Sequence, residues 1–238
     1  VIFLFAFSLR LAYLNQIKTS PFFENLIPGL DPWLYDSWAA SISKGDWVGQ
    51  GVFPAMPLYP YFLGVIYSLF GRSLFTVMLI QVLLGSLSCV LIYLIGRRVF
   101  NRWVGLIAAI GAGSYGVFFF YDCTLVPVSL TIFLSLLALL SFLWARGNSS
   151  PRRWFLTGLA TGLASLAGPA VLLFLLFAFV WLLLEYRRRS LLSALSLLSG
   201  ALVVIAPVTT RNYLVGKDLV FIASQGGVNF WIGNNSEA

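Results

Sequence analysis

Histidine is absent from this chain of 238 residues, and only eight side chains are acidic. The first absence removes imidazole as a general base or metal ligand, so carboxylates must carry any acid–base role. Charge of either sign is scarce. Charged residues make up 10% of the chain and hydrophobic ones 60%, and the mean hydropathy is +0.92. So little polar surface cannot cover a soluble globule, and the composition reads as a polytopic membrane protein. Cysteine is also rare. Cys89 and Cys123 lie in or at the end of different apolar runs without metal-ligand spacing, and read as packing residues. A net charge of +7 does not point to nucleic acid, because the cations are not gathered on a basic, aromatic-laced face.

Hydrocarbon and arginine are what the chain does have. Apolar runs of about 20 residues suit membrane crossing, and Lys and Arg in short loops mark the cytoplasmic side. Three clusters stand out: Arg97, Arg98 and Arg102; Arg146, Arg152 and Arg153; and Arg187, Arg188 and Arg189. Placing all three inside predicts an all-α transmembrane bundle of about seven spans: 1–15, 73–96, 104–121, 124–145, 154–167, 170–186 and 191–208. The run from Pro57 to Gly71 is about 22 Å long as a helix and is laid along the outer interface. Gly168-Pro169 breaks 154–186 into two helices with a tight outer turn. Val1 lies inside an apolar run without an initiator Met, and the chain stops in a polar segment. A carboxyl-terminal part is therefore expected beyond residue 238, and the first helix is read as truncated rather than as a signal peptide.

With this topology, Glu24, Asp31, Asp36, Asp46, Asp122, Asp218 and Glu237 fall on the outer side or its interface, with none at mid-membrane, and Glu185 falls inside. Mid-membrane is where ion-coupled transporters tend to place ionisable groups. The outer loop, about 16–72, concentrates the chemistry in LDPWLYDSWAASISKGDWVGQGVFPAMPLYP. It is expected to carry an amphipathic interfacial helix, with Asp31 as a possible N-cap, Pro32 at N1 and a turn from Gly45. Leu34, Trp38 and Ile42 would share its apolar face, leaving Asp36 pointing elsewhere.

An ordinary cap and a catalytic carboxylate both fit Asp31. Asp36 suits a solvated face or a site, and Asp46, in GDW, suits a turn. Asp122, the sole charge in its outer turn, suits either interfacial solvation or a substrate or metal contact shared with the Asp31 loop. Among outer cations, Arg211 follows the last predicted span, with Arg10 and Lys44 behind it; each suits a bidentate or charge-assisted phosphate contact or an anchor snorkelling to headgroups. Gly226, Gly227 and Gly233, in the outer segment 209–238, could form an anion-binding nest. A divalent metal is possible but not required by these residues.

LYDSWAASISKGDW after Asp31, PLYPYFLGVIYSLFG, GRRVF, and PVTTRNYLVGKDLVFIASQGGVNFWIGNN, taken in order, resemble bacterial membrane glycosyltransferases of the C-type (GT-C) superfamily. Within it the resemblance is to the branch with the protein O-mannosyltransferases and the aminoarabinose transferase acting on lipid A, a glycosyltransferase family 39-like group. The chain differs from the mannosyltransferases in having Asp31-Pro32 where they have Asp-Glu. It also has Gly168-Pro169 where many relatives have Arg-Pro. The resemblance implies a hexosyl- or pentosyltransferase in the bacterial inner membrane, its active site facing the periplasm or exterior. Such an enzyme moves a sugar from a polyprenyl-phosphate donor to a protein, lipid or glycan acceptor, usually with inversion. It implies Asp31 as the catalytic carboxylate, and residues 1–238 as the amino-terminal part of one membrane domain, inactive alone. The contrasting reading is a transporter or flippase that binds a lipid-linked sugar without chemistry.

Overall fold

The computed structural model describes residues 1–20, 23–147, 150–186 and 190–235, and among these it is all helix and turn. The third arginine cluster and Glu237 lie outside the described residues. The chain forms α1 (Ile2–Ile17), α2 (Asp31–Ser43), α3 (Leu58–Phe70), α4 (Leu74–Val99), α5 (Arg102–Ser114) and α6 (Gly116–Asp122). It continues with α7 (Val128–Arg146), α8 (Pro151–Ala167), α9 (Val171–Tyr186), α10 (Ser190–Gly216) and α11 (Gln225–Asn234). Local chemistry sets several boundaries. Ser73 Oγ caps α4 by accepting from Thr76 N, and Asn101 Oδ1 caps α5 by accepting from Trp103 N and Val104 N. Pro151 starts α8. Gly45 and Gly71, at φ 103° and 77°, turn the chain out of α2 and α3 in a conformation that costs other residues more.

Among the described residues, three helices are long and apolar enough to cross a membrane: α4, α7 and Leu191–Gly216 of α10. A fourth crossing results if α5 and α6, bent by 59° at their break, count as one span. Seven spans are thus not established. α1, with 16 residues, reaches only about 24 Å, short of a hydrocarbon core of about 30 Å. Fewer than half of the residues in the three long helices are buried in the molecule, and Leu173, Phe177, Leu184, Leu192 and Leu202 stand out from α9 and α10. Such a surface belongs in lipid rather than water.

Small residues let the helices close. A Cβ on Gly158 of α8 would stand 2.1 Å from the Leu197 carbonyl oxygen, and one on Gly200 of α10 would stand 2.2 Å from that of Phe155. The two backbones therefore touch, as small-residue helix pairs do in membranes. Gly96 and Gly105 bring α4 and α5 together in the same way.

α10 runs through Pro207 to Gly216, two turns beyond the predicted end at 208. Proline costs the helix one hydrogen bond, but Thr209, Arg211 and Asn212 of the extension grip neighbouring segments and hold it. The segment holding Gly226, Gly227 and Gly233 is helix α11 and not a nest, since none of the three has a left-handed backbone.

The bundle has two chemically distinct ends. Arg97, Arg98, Arg102, Arg146, Arg152 and Arg153 sit where α4 meets α5 and α7 meets α8, with Glu185 near the end of α9. There Phe142, Trp154 and Leu182 form one buried cluster. The opposite end holds α2, α3, the turns after α6 and α8, and the end of α10 around a second core of Tyr35, Tyr59, Leu63, Val77 and Ala167.

Candidate functional site

Asp31 lies in the first turn of α2, but Leu30 is the N-cap and the Asp31 side chain makes no capping bond. The predicted N-cap at Asp31 and N1 at Pro32 thus each move one place along. The carboxylate is exposed, placed where a helix N-terminus favours negative charge. Burial raises the Tyr35 phenol above its usual range, and the nearby Asp31 carboxylate adds to the shift.

Two cavities flank this turn. Leu30 and Pro32 line a groove of about 470 Å³ whose walls include Tyr13, Ile17, Met78 and Phe120. Tyr35, one turn on, lines a cleft of about 740 Å³ shared with Met56, Pro169, Asp218 and Asn229. One is mainly hydrocarbon and aromatic; the other carries a carboxylate and amides at its rim.

Asp36 is not on a solvated face. It is 6% exposed, and Arg72 grips it by donating from Nε to Oδ1 at 3.0 Å and from Nη2 to Oδ2 at 2.8 Å. Tyr67 Oη donates to Oδ1 at 2.7 Å. The bonds to Asp36 hold the Arg72 guanidinium above its usual range. The buried face of α2 is Tyr35, Asp36, Ala39 and Ile42, while Leu34 is 49% exposed. Packing on α3 decides this: Gly64 leaves room only for Ile42, which a Cβ there would meet at 2.6 Å.

Arg10 and Asp122 find each other. Arg10 Nε donates to Asp122 Oδ2 at 2.7 Å, with side-chain exposures of 1% and 5%. Arg10 Nη1 donates to the Ala6 and Gly113 carbonyls at 3.3 and 3.2 Å, and Ser129 Oγ donates to Asp122 Oδ1 at 2.6 Å. Gly85 makes this possible, since a Cβ there would fall 2.1 Å from Asp122 Oδ2. Gln81 Nε2 donates to the Asp122 and Thr124 carbonyls at 3.0 and 2.8 Å, and Tyr59 Oη donates to Gln81 Oε1 at 2.6 Å. The interfacial solvation that suited Asp122 and the snorkelling that suited Arg10 are therefore corrected to one buried ion pair at the end of α6. Burying two charges together costs far less than burying either alone.

Arg211 turns towards the chain itself. Its Nε donates to the Val48 carbonyl at 2.8 Å, Nη2 shares that carbonyl, Nη1 donates to Gly51, and the guanidinium lies 3.9 Å from the Phe53 ring centroid. Asn212, wholly buried, accepts from Phe53 N at 3.1 Å and donates to the Val220 and Ile222 carbonyls, each at 3.0 Å. Arg211 Nη1 supplies its fourth bond at 3.1 Å, which exhausts what an amide side chain can make. Asp46 closes the gripped loop by accepting from Gly49 N at 2.9 Å, so it is a turn residue as read.

Lys44 is exposed at the end of α2, about 20 Å along the helix from Asp31. The structure thus joins Arg10 with Asp122 and Arg211 with the loop after α2, and brings none of these to Asp31 by a hydrogen bond. Among the described residues, no three His, Cys, Asp or Glu side chains gather. Sequence reasoning assigned no role to Asn212, Gln81, Tyr59, Arg72 and Tyr67. It also assigned no role to Lys18, which follows the groove residue Ile17 and holds its Nζ 4.5 Å from the Phe75 ring centroid. The only signal for most of them was a polar or phenolic side chain inside an apolar run.

A family model described as dolichyl-phosphate-mannose-protein mannosyltransferase matches residues 54–212. That range takes in Arg72, Asp122, Arg211 and Asn212 and begins after Asp31. No curated protein and no solved structure matches the chain.

Proposed function

The chain belongs to the dolichyl-phosphate-mannose-protein mannosyltransferase family, a family of membrane glycosyltransferases of GT-C type, and on that premise we propose that it transfers a sugar from a polyprenyl-phosphate donor with Asp31 as general base. The observation that carries this reading is the uncommitted, exposed Asp31 carboxylate at a helix start flanked by two cavities. The polyprenyl chain lies in the groove beside Leu30, and the acceptor enters the cleft beside Tyr35. The Asp31 carboxylate takes the proton of the acceptor hydroxyl as its oxygen bonds to the anomeric carbon. The bond from that carbon to the phosphate oxygen breaks, and polyprenyl phosphate leaves with the electron pair. A single displacement of this kind inverts the anomeric centre.

Lys18, beside the groove, meets the charge that develops on the departing phosphate. Arg211 acts by fixing the loop at Val48–Phe53, with four of its five N–H donors directed at Val48, Gly51 and Asn212. The end bearing Asp31 faces the exterior or periplasm of a bacterial plasma membrane, and the arginine end faces the cytoplasm, following the positive-inside rule.

The test is release of polyprenyl phosphate by the full-length protein supplied with a lipid-phosphate-linked sugar and acceptor. Stoichiometric release with product supports the reading. Movement of the intact donor across a bilayer without release overturns it in favour of transport. Normal turnover by Asp31→Asn removes Asp31 from the chemistry while leaving the transferase standing.

A further inference from the structure

A groove of about 510 Å³ opens at the arginine end, lined by Leu94, Arg97 and Arg98 of α4 and Leu140 and Trp144 of α7. Leu94 and Arg98 are one helical turn apart, as are Leu140 and Trp144, so each pair shares a face. The groove is therefore graded along the helix axes, with leucines toward the middle of the bundle and arginines and an indole at its mouth. Both α4 and α7 are long and apolar enough to cross a membrane. Their ends put this mouth at the depth of lipid headgroups.

Arg97 and Arg98 are exposed, and neither guanidinium has a hydrogen bond or ion pair among the described residues. The two ion pairs found there, Arg10–Asp122 and Arg72–Asp36, are both elsewhere. Arg153 stacks on Trp144, 4.5 Å from its ring centroid. Loop arginines that only set topology need no particular shape around them. These two instead stand at the mouth of an apolar slot, which matches a molecule with an anionic head and a hydrocarbon tail.

We infer that this groove binds an anionic phospholipid of the surrounding bilayer, its phosphate held by Arg97 and Arg98 and an acyl chain laid along Leu94 and Leu140. Arginine suits the head, since its guanidinium offers a planar fork of donors to phosphate oxygens. The site lies at the opposite end of the bundle from Asp31, so it is independent of the donor groove.

The experiment is native mass spectrometry of the full-length protein in mild detergent, offered phosphatidylglycerol and phosphatidylcholine of matched chains. The expected result is retention of phosphatidylglycerol in preference to phosphatidylcholine by about tenfold or more. Arg97→Gln with Arg98→Gln should abolish that preference, whereas Arg152→Gln, outside the groove, should preserve it. Leu140→Trp fills the slot with both arginines in place and should also lose the lipid, which keeps the test open if the double variant fails to accumulate. Millimolar inorganic phosphate should not displace the lipid. Equal retention of both lipids, equal loss in Arg152→Gln, retention by Leu140→Trp, or displacement by phosphate would each overturn the proposal.

Discussion

Asp31 has no structural employment in the form of a side-chain cap, so its removal separates chemistry from folding. Asp31→Asn in the full-length protein should lower transfer by about 10²–10⁴-fold, the usual contribution of a general base. Expression and melting temperature should stay near wild type. A thermal shift of several degrees, with activity falling in proportion, would transfer the residue from catalysis to stability. Asp122 is the opposite case, bonded by Arg10 and Ser129 and almost wholly buried. Asp122→Asn or Arg10→Met should each destabilise the protein by about 3–5 kcal/mol, because the partner is left as an unpaired buried charge. Arg10→Met combined with Asp122→Leu should recover much of that loss. Guanidinium or thermal unfolding of the three variants checks this, and additive losses in the double variant would refute the coupling. Neither partner was legible as such. The two are 112 positions apart, and only the rarity of charge in apolar runs marked them, which gives no partner. Asp46 was legible because its bond to Gly49 is local. Asp36 was not, because the buried face of α2 is chosen by α3 and not by the spacing of its own tryptophan and leucine.

Among elements, the long helices were readable from their apolar runs, from the arginines in the loops between them and from the break at Gly168-Pro169, while the caps Ser73 and Asn101 and the start at Pro151 emerge only from the structure. α10 defeated that logic, since Pro207 normally weakens a helix and here lies inside one. What overrides it is tertiary: Asn212 ties the helix end both to Phe53 and to the stretch at Val220 and Ile222. Asn212→Ala should therefore loosen two segments together, residues 46–53 and 218–224, at a cost of about 1–3 kcal/mol for the bonds left unmade. Hydrogen exchange by mass spectrometry reads this directly. Faster exchange in both segments with α4 and α7 unchanged is the expected pattern, and an effect confined to one segment would show that Asn212 does not couple them. The close pair α8 and α10 offers a second check at this scale. Gly158→Leu must push apart two backbones so close that even a Cβ at this position would come within 2.1 Å of the Leu197 oxygen. It should cost about 1–3 kcal/mol or more as overpacking and appear as a lower melting temperature, whereas Gly111→Leu, where a Cβ meets nothing within 4 Å, should be tolerated.

For the whole molecule the decisive property is that net charge differs by end, because Lys18, Lys44, Arg72, Arg211 and Lys217 offset the acids around Asp31 while little offsets the arginines opposite. Six described arginines and a single glutamate lie where α4 meets α5, α7 meets α8 and α9 finishes, while Asp31, Asp36, Asp46 and Asp218 lie at the other end. The clusters were visible in the chain, but which helices cross was not, because length and apolarity license three or four crossings and leave the shorter helices undecided. α4 alone is enough to test the arrangement, since it spans 26 residues, about 39 Å, and joins the end that bears Asp31 to the end that bears Arg97 and Arg98. Both native cysteines are buried, so cysteines introduced at Ser41 of α2 and at Asn101 after α4, each exposed, can be labelled selectively in intact cells. A membrane-impermeant maleimide should label Ser41→Cys from outside and label Asn101→Cys only after permeabilisation. Labelling of both from one side would mean that α4 does not separate the two ends across a bilayer. Labelling with the sides reversed would put Asp31 in the cytoplasm, and the donor sugar would then have to be used on the inner face, against the charge asymmetry that the positive-inside rule reads.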